Sequence, residues 1–282
     1  MQHEMFTASS RSDEDDLDQS YNEELGQWMT PAWAAEAIVA HALGELPRGA
    51  TVIEPSCGIG RFIRALPPGV NAIGVEIDSK LAAIARETTN AVIVTGDFRT
   101  VELPVDRCDA IIGNPPFQMD VLDGMLDRGH RLLADGGSMV LLLPAFTFQT
   151  SSRVVRYNRR WSLSQDMIPR TLFPGIRLPL VLARFVRDPK PKLSGFMLYH
   201  ESREIEEMPA VYRKALSEGR SGWRAVVEAA LVRLGGEATV AQVCAEIAPR
   251  RPTGTQHWRA KVRQQLGQGF RRTGEARYAI AA

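Results

Sequence analysis

In the stretch DAIIGNPPFQMD, residues 109–120, a short apolar run meets Gly113 and then Asn114, Pro115, Pro116 and Phe117. Two consecutive prolines remove two backbone donors and fix two φ angles. An amide side chain, a stiff carbonyl-bearing turn and an aromatic ring therefore stand within four residues at the exit of a predicted strand. These groups accept hydrogen bonds and offer a flat face. What they meet depends on the motifs around them.

Upstream, Glu54-Pro55-Ser56-Cys57-Gly58-Ile59-Gly60 closes a predicted strand and opens a helix. Glycines at such a turn let a ligand approach the backbone at the carboxyl end of a sheet. The third glycine of the dinucleotide fingerprint is missing, because Arg61, Phe62 and Ile63 follow Gly60. That argues against a pyrophosphate on the helix N-terminus. In Gly74-Val75-Glu76-Ile77-Asp78, Glu76 ends the next strand at about the spacing of a ribose-binding carboxylate. Gly96-Asp97-Phe98 ends the third strand, with an acid for an adenine amino group beside a ring that could pack on the base. Singly, each acid also reads as a helix cap or a solvated loop residue. Jointly, at successive strand ends, they point to an adenosine-type ligand without a diphosphate, for which S-adenosylmethionine is the natural candidate.

The ordered set resembles the γ-class DNA adenine-N6 methyltransferases. The match runs from Gln27-Trp28-Met29-Thr30-Pro31, through the four motifs above, to Leu172-Phe173-Pro174 and about Arg187. The resemblance implies that Asn114, Pro115, Pro116 and Phe117 are the catalytic group. The Asn114 side-chain oxygen and the Pro115 carbonyl would accept the two N–H bonds of an exocyclic adenine nitrogen. Aimed at the pyramidal rather than the planar amine, those acceptors favour the transition state. The base must be flipped out of the duplex, stacked on Phe117 and bounded by Phe173. Thr30, Glu54, Ser56, Cys57, Gly58, Gly60, Glu76, Ile77, Asp97, Phe98 and Asn114 become the cofactor-binding candidates. Thr30 reads equally as an N-cap ahead of Pro31, and Phe173 as core packing beside Pro174. Cytosine-C5 transfer needs a cysteine nucleophile, and neither Cys57 nor Cys108 follows a proline in the target loop.

The elements that must hold these motifs alternate. Strands are predicted at 51–54, 72–77, 92–95, 109–112, 139–143, 164–168 and 181–186, and helices at 31–44, 59–66, 79–88, 120–133 and 151–160. The pattern predicts an α/β, Rossmann-like fold: a mostly parallel sheet covered on both faces, with the last two strands as an antiparallel edge hairpin. Residues 1–26 read as an acidic, disordered tail, 27–187 as the methyltransferase domain, and 188–222 as a linker with one helix at most. Residues 223–282 read as three helices (223–234, 239–247, 255–266) and a hairpin, the order of a small α+β winged-helix domain.

On the last of those helices Trp258, Val262 and Leu266 form an apolar stripe. Gln256, Arg259, Arg263 and Gln264 take the opposite face, where Arg and Gln can read base edges, while Arg271, Arg272 and Arg277 can meet phosphates. A structural or dimerising role for this block is the alternative.

The net charge of +1 over 282 residues conceals a gradient. Residues 1–30 hold eight acids, whereas 151–192 and 222–282 hold ten Lys/Arg each against two Asp and four Glu respectively. Basic blocks under a neutral total suit a polyanion such as double-stranded DNA. Three cysteines without CxxC spacing support neither a metal site nor a disulfide framework. No apolar run reaches membrane-spanning length, so the expectation is a cytoplasmic protein. No nuclease motif is present, so restriction would need a separate endonuclease. Other readings are N5-glutamine methylation of a protein, RNA base methylation, and a DNA-binding regulator with an inactive methyltransferase fold.

Overall fold

The computed structural model describes residues 29–44, 46–169, 172, 178–218, 222–252 and 255–280. They fall into two compact units, one within Met1–Gln149 and Arg156–Phe196, the other within Thr150–Val155 and Met197–Ala282.

The first unit follows the predicted alternation: α1 (Ala32–Leu43), β1 (Thr51–Glu54), α2 (Arg61–Ala65), β2 (Asn71–Glu76), α3 (Ser79–Thr88), β3 (Val92–Thr95) and β4 (Cys108–Gly113). It continues with α4 (Met119–Leu132), β5 (Leu133–Pro144), a 3-10 turn (Ala145–Phe148), the end of α5 (Ser151–Asn158), whose residues up to Val155 belong to the second unit, and then β6 (Ser162–Ile168) and β7 (Leu180–Val186). The seven strands lie in the order β3-β2-β1-β4-β5-β7-β6. Every pair is parallel except β5–β7 and β6–β7. β7 is thus inserted between β5 and β6 and runs against both.

Strands buried on two faces read as continuous apolar runs. Met139, Val140, Leu141, Leu142 and Leu143 at the centre of β5 are all essentially inaccessible to solvent. On one side of the sheet Ala34, Ile38 and Val39 of α1 pack with Ile112, Val140 and Leu182. α3 starts at Asp78, whose Oδ1 accepts from the backbone N–H groups of Lys80 (2.8 Å) and Leu81 (3.4 Å).

β5 begins six residues earlier than the predicted 139. Its extension over 133–138 is held across the sheet by Arg187, which exchanges backbone hydrogen bonds with Gly136 (2.8 Å) and Gly137 (2.9 Å). The same guanidinium donates to the carbonyls of His130 (3.1 Å) and Leu133 (2.6 Å), which α4 leaves free at its C-terminus.

The second unit contains α6 (Tyr199–Glu207), α7 (Ala210–Glu218), α8 (Gly222–Arg233), β8 (Glu237–Thr239), α9 (Val240–Ile247), α10 (Trp258–Gly269), β9 (Arg271–Gly274) and β10 (Arg277–Ala279). β10 pairs antiparallel with both β8 and β9. The segment 188–222 is therefore not the linker expected, since it carries two helices. Met208 and Tyr212 are buried in one core with Val226, Leu231, Val243, Ile247, Trp258, Val262 and Leu266. The Tyr212 hydroxyl donates to Glu246 Oε1 (3.0 Å), which also pairs with Arg233 (2.7 Å) and Arg250 (2.9 Å). Three donors on one half-buried carboxylate tie α7 to α8 and α9. A capping box, Thr239 with Gln242, starts α9. No helix among the described residues is long and apolar enough to cross a membrane.

Candidate active site

In an open parallel sheet the crevice forms where strand order reverses, outside the carboxyl ends of the strands. Here that point lies between β1 and β4, which are hydrogen-bonded neighbours. The glycine loop leaves β1 and Asn114-Pro115-Pro116-Phe117 leaves β4. The two exits touch: a Cβ on Gly113 would stand 3.2 Å from Pro55 Cδ. A cavity of about 550 Å³ opens there, bordered by Thr30, the Glu54–Gly58 segment, Glu76, Ile77, Asp97 and the Asn114–Gln118 segment. Motifs separated by up to 84 positions are thereby brought to one place.

The glycine loop is held from below. Gly60 has φ +80 and N-caps α2, and its N–H closes a tight turn on the Cys57 carbonyl at 2.7 Å. Glu76 is 3% exposed, and its oxygens accept from the backbone N–H groups of Gly58 (2.7 Å) and Asp78 (2.9 Å). Burial raises its carboxyl above the ordinary range, and the N–H bonds of Asp78 and Gly58 oppose that shift. Glu54 accepts from the Ile63 N–H (3.2 Å), and burial lifts its carboxyl well above the usual carboxylate range, with the Glu76 charge adding to the effect. The acid expected as a free sugar acceptor thus also fixes the loop on which the cofactor would lie. Lone pairs of Glu76 remain for ribose hydroxyls.

Phe98 and Cys57 both border the cavity, with side chains largely buried. Phe98 is 1% exposed, and the Arg128 guanidinium covers its ring at 5.3 Å from the centroid. Phe98 borders the cavity with Arg128 over its ring, and the exposed apolar side chain at this rim is Ile77, at 66%. The Cys57 thiol turns into a small core with Ile63, Ala82, Ala85 and Ile93, and burial pushes its pKa up, so Cys57 offers the cavity backbone rather than sulfur chemistry. Thr30 is 4% exposed, and its hydroxyl accepts from Asn114 Nδ2 at 3.5 Å. Phe117 is half-buried, with one side against the α1 core and another on the cavity. Ser56, Pro115 and Pro116 border the cavity as expected. Phe173 lies outside the described residues, as do Gln27 and Trp28.

Sequence reasoning missed Arg61, Arg99 and Met29, all of which border the cavity. No spacing rule singles out Arg99, which reaches the rim only because α4 packs beside the β3 loop. Among the described residues no group of three or more His, Cys, Asp or Glu is placed to hold a metal ion.

On the second unit, Trp258, Val262 and Leu266 are buried, whereas Gln256, Arg259, Arg263 and Gln264 are exposed. Arg271, Arg272 and Arg277 are exposed on β9 and β10, and Arg277 stands 3.7 Å from Glu237. The Arg259 guanidinium lies 4.7 Å from the Trp258 ring centroid.

The closeness of β2 to the glycine loop makes a sharp test. A Cβ on Gly74 would come within 2.8 Å of Ile93 Cδ1, Cys57 Sγ and Ile63 Cδ1. Gly74→Ala is expected to destabilise the first unit by about 1–3 kcal/mol, the usual cost of overpacking. Thermal unfolding measures it; an unchanged midpoint would show that these side chains yield freely.

No protein-family model matches the chain. It is 24% identical over 254 residues to the Type II methyltransferase M.TthHB8I of Thermus thermophilus, covering 75% of this chain and 57% of that protein. It is 37% identical over 95 residues to the Type II methyltransferase M.CvrRI of Paramecium bursaria Chlorella virus XZ-6E, covering 33% of this chain and 24% of that protein. The chain thus spans little more than half the length of one curated relative and a quarter of the other. Among solved structures, a Listeria monocytogenes protein described as a class I S-adenosylmethionine-dependent methyltransferase superposes with TM-score 0.55 at 17% identity, over 66% of this chain and 70% of that one. A Vibrio vulnificus protein described as the modification subunit of a type I restriction enzyme gives 0.50 at 17% identity, over 67% and 51%.

The fold of the first unit is that of the class I S-adenosylmethionine-dependent methyltransferases. S-adenosylmethionine is the cofactor that this fold and these relatives imply, and the residues present fit it. The cavity is of ligand size. Its lining includes Glu76, whose remaining acceptor sites suit ribose hydroxyls, and the exposed Ile77 offers an apolar contact for a base.

Proposed function

We propose that the chain is a methyltransferase of the γ class, acting on N6 of an adenine flipped out of double-stranded DNA. What carries the reading is the meeting of Asn114-Pro115-Pro116-Phe117 with the glycine loop at one cavity on the switch point of the sheet. The Type II methyltransferase names of both curated relatives support a DNA substrate.

S-adenosylmethionine, when bound, supplies a methyl group on a positively charged sulfur, an electrophile that needs positioning more than a strong base. Glu76 and Ile77 hold the ribose and base side of the cofactor, Asp97 accepts from its adenine amino group, and the Gly58–Gly60 turn makes room for the rest. The adenine amine to be methylated is a poor nucleophile because its lone pair is shared with the ring. Asn114 and the Pro115 carbonyl accept its two N–H bonds in the pyramidal geometry, which lowers the barrier selectively. Thr30 takes the Nδ2 end of the Asn114 amide and so orients it. Pro115 and Pro116 hold the carbonyl direction without rearrangement, and Phe117 lies against the extruded base. The second unit acts as a winged helix: Gln256, Arg259, Arg263 and Gln264 face bases, and Arg271, Arg272 and Arg277 face phosphates.

Incubation with methyl-labelled S-adenosylmethionine and duplex DNA, structured RNA or a translation-factor protein separates the readings. Mass spectrometry of digested product is expected to find N6-methyladenine in the DNA arm alone. Label in RNA or on a glutamine amide would overturn the assignment.

A further inference from the structure

Asp97 is gripped by Arg99. Its Oδ1 accepts from the Arg99 backbone N–H (2.8 Å) and Nε (3.0 Å), and its Oδ2 from Nε (3.0 Å) and Nη2 (2.6 Å). The stem of Arg99 lies flat on α4, where a Cβ on Gly124 would stand 2.7 Å from Arg99 Cδ. From the same helix Arg128 donates to the carbonyls of Phe98 and Val101. Helix α4, which starts directly after Phe117 and Gln118, therefore pins the loop that carries Asp97 at two places.

A carboxylate has about four acceptor sites. A backbone N–H, a shared Nε–H and an Nη2–H occupy about three of them. An ionised carboxylate accepts and cannot donate, so its remaining site welcomes the N–H of a 6-amino purine and repels the oxygen of a 6-oxo purine. We infer that Arg99 is a specificity-determining positioning residue: by forking onto Asp97 it leaves one acceptor site open, and the cavity thereby selects a 6-amino purine over a 6-oxo one. The inference rests on the reading of Asp97 as the partner of the cofactor's adenine amine. The Arg99 side chain also holds the Asp97 carboxyl below the ordinary carboxylate range. Asp97 therefore stays an acceptor as the pH falls, and loses that character only on passing its depressed pKa.

The test is calorimetric binding of S-adenosylhomocysteine and its 6-oxo counterpart, S-inosylhomocysteine, to the full chain. The native protein is expected to prefer the adenosyl ligand by roughly 100-fold or more, with little change between pH 8 and 5. In Arg99→Met the preference is expected to shrink to about 10-fold. Its adenosyl affinity should fall as the pH approaches the ordinary aspartate range near 4, because the acceptor form is lost as pH drops through the carboxyl pKa. Arg99→Lys keeps the charge without the fork, so it should restore only part of the pH tolerance and part of the preference. An undiminished preference in Arg99→Met and Arg99→Lys would overturn the inference. If Asp97→Asn binds S-adenosylhomocysteine as tightly as the native protein, the reading of Asp97 itself fails instead.

Discussion

Replacing Asn114 with alanine is expected to lower methyl transfer by about 10²–10³-fold, roughly 3–4 kcal/mol, the usual loss when one preorganised group at a developing charge is removed. Cofactor affinity should stay within a few-fold. The amide would hold the target amine in its pyramidal form, a contact made only on the way to the transition state, whereas the cofactor is held chiefly by groups on β1, β2 and the β3 loop. Single-turnover transfer with saturating DNA, beside calorimetric titration of S-adenosylmethionine, reads the two effects separately. The fold should tolerate the change, because Asn114 is only partly buried and Pro115 and Pro116 keep the turn without it. Thr30→Val should show a weaker version of the same split, since it removes only the hydroxyl that takes the Nδ2 end of the amide. Turnover unchanged in Asn114→Ala would remove the catalytic assignment of the loop.

The second large effect concerns salt. Arg263, Arg271 and Arg272 are exposed on α10 and β9. Their joint replacement by alanine is expected to weaken duplex binding by about 10²-fold near physiological salt and to flatten the log–log salt slope by roughly 2, about one counterion for each of the phosphate contacts of Arg271 and Arg272, while Arg263 removes a contact to base edges. Arg259 and Arg277 are poorer choices, because one lies on the Trp258 ring and the other stands near Glu237. Cutting the chain after residue 220 would be a worse test still. Met208 and Tyr212, buried against Val226 and Val243, would lose their cover, and any fall in binding would reflect unfolding. A salt slope identical to that of the native protein would make the second unit structural.

How far the sequence carries depends on the range of the interaction. Glu54, Gly58 and Glu76 could be placed at the cavity from the sequence because each works through its own strand end or turn, whereas Gly60 caps α2 and does not border it. The stripe of Trp258, Val262 and Leu266 was legible because helix periodicity alone buries it. β8 was not: three residues, Glu237–Thr239, carry no strand pattern of their own and are ordered by pairing with β10. The 188–222 stretch looked like a linker because its charges dominate, yet Met208 and Tyr212 are buried in a core, with Ile205, Val211, Ala215 and Leu216 packed against it.

By itself the sequence determined the alternation of strands and helices, the strand ends that carry the polar groups, and the turn chemistry of Asn114-Pro115-Pro116-Phe117. Local propensity, periodicity and backbone restriction act over a few residues and can be read there. Only the tertiary structure decided that β7 lies between β5 and β6, that Phe98 is covered by Arg128, and that Arg99 crosses Gly124 to hold Asp97. Those outcomes depend on which surfaces far apart in the chain pack together, and packing is selected by the whole core at once.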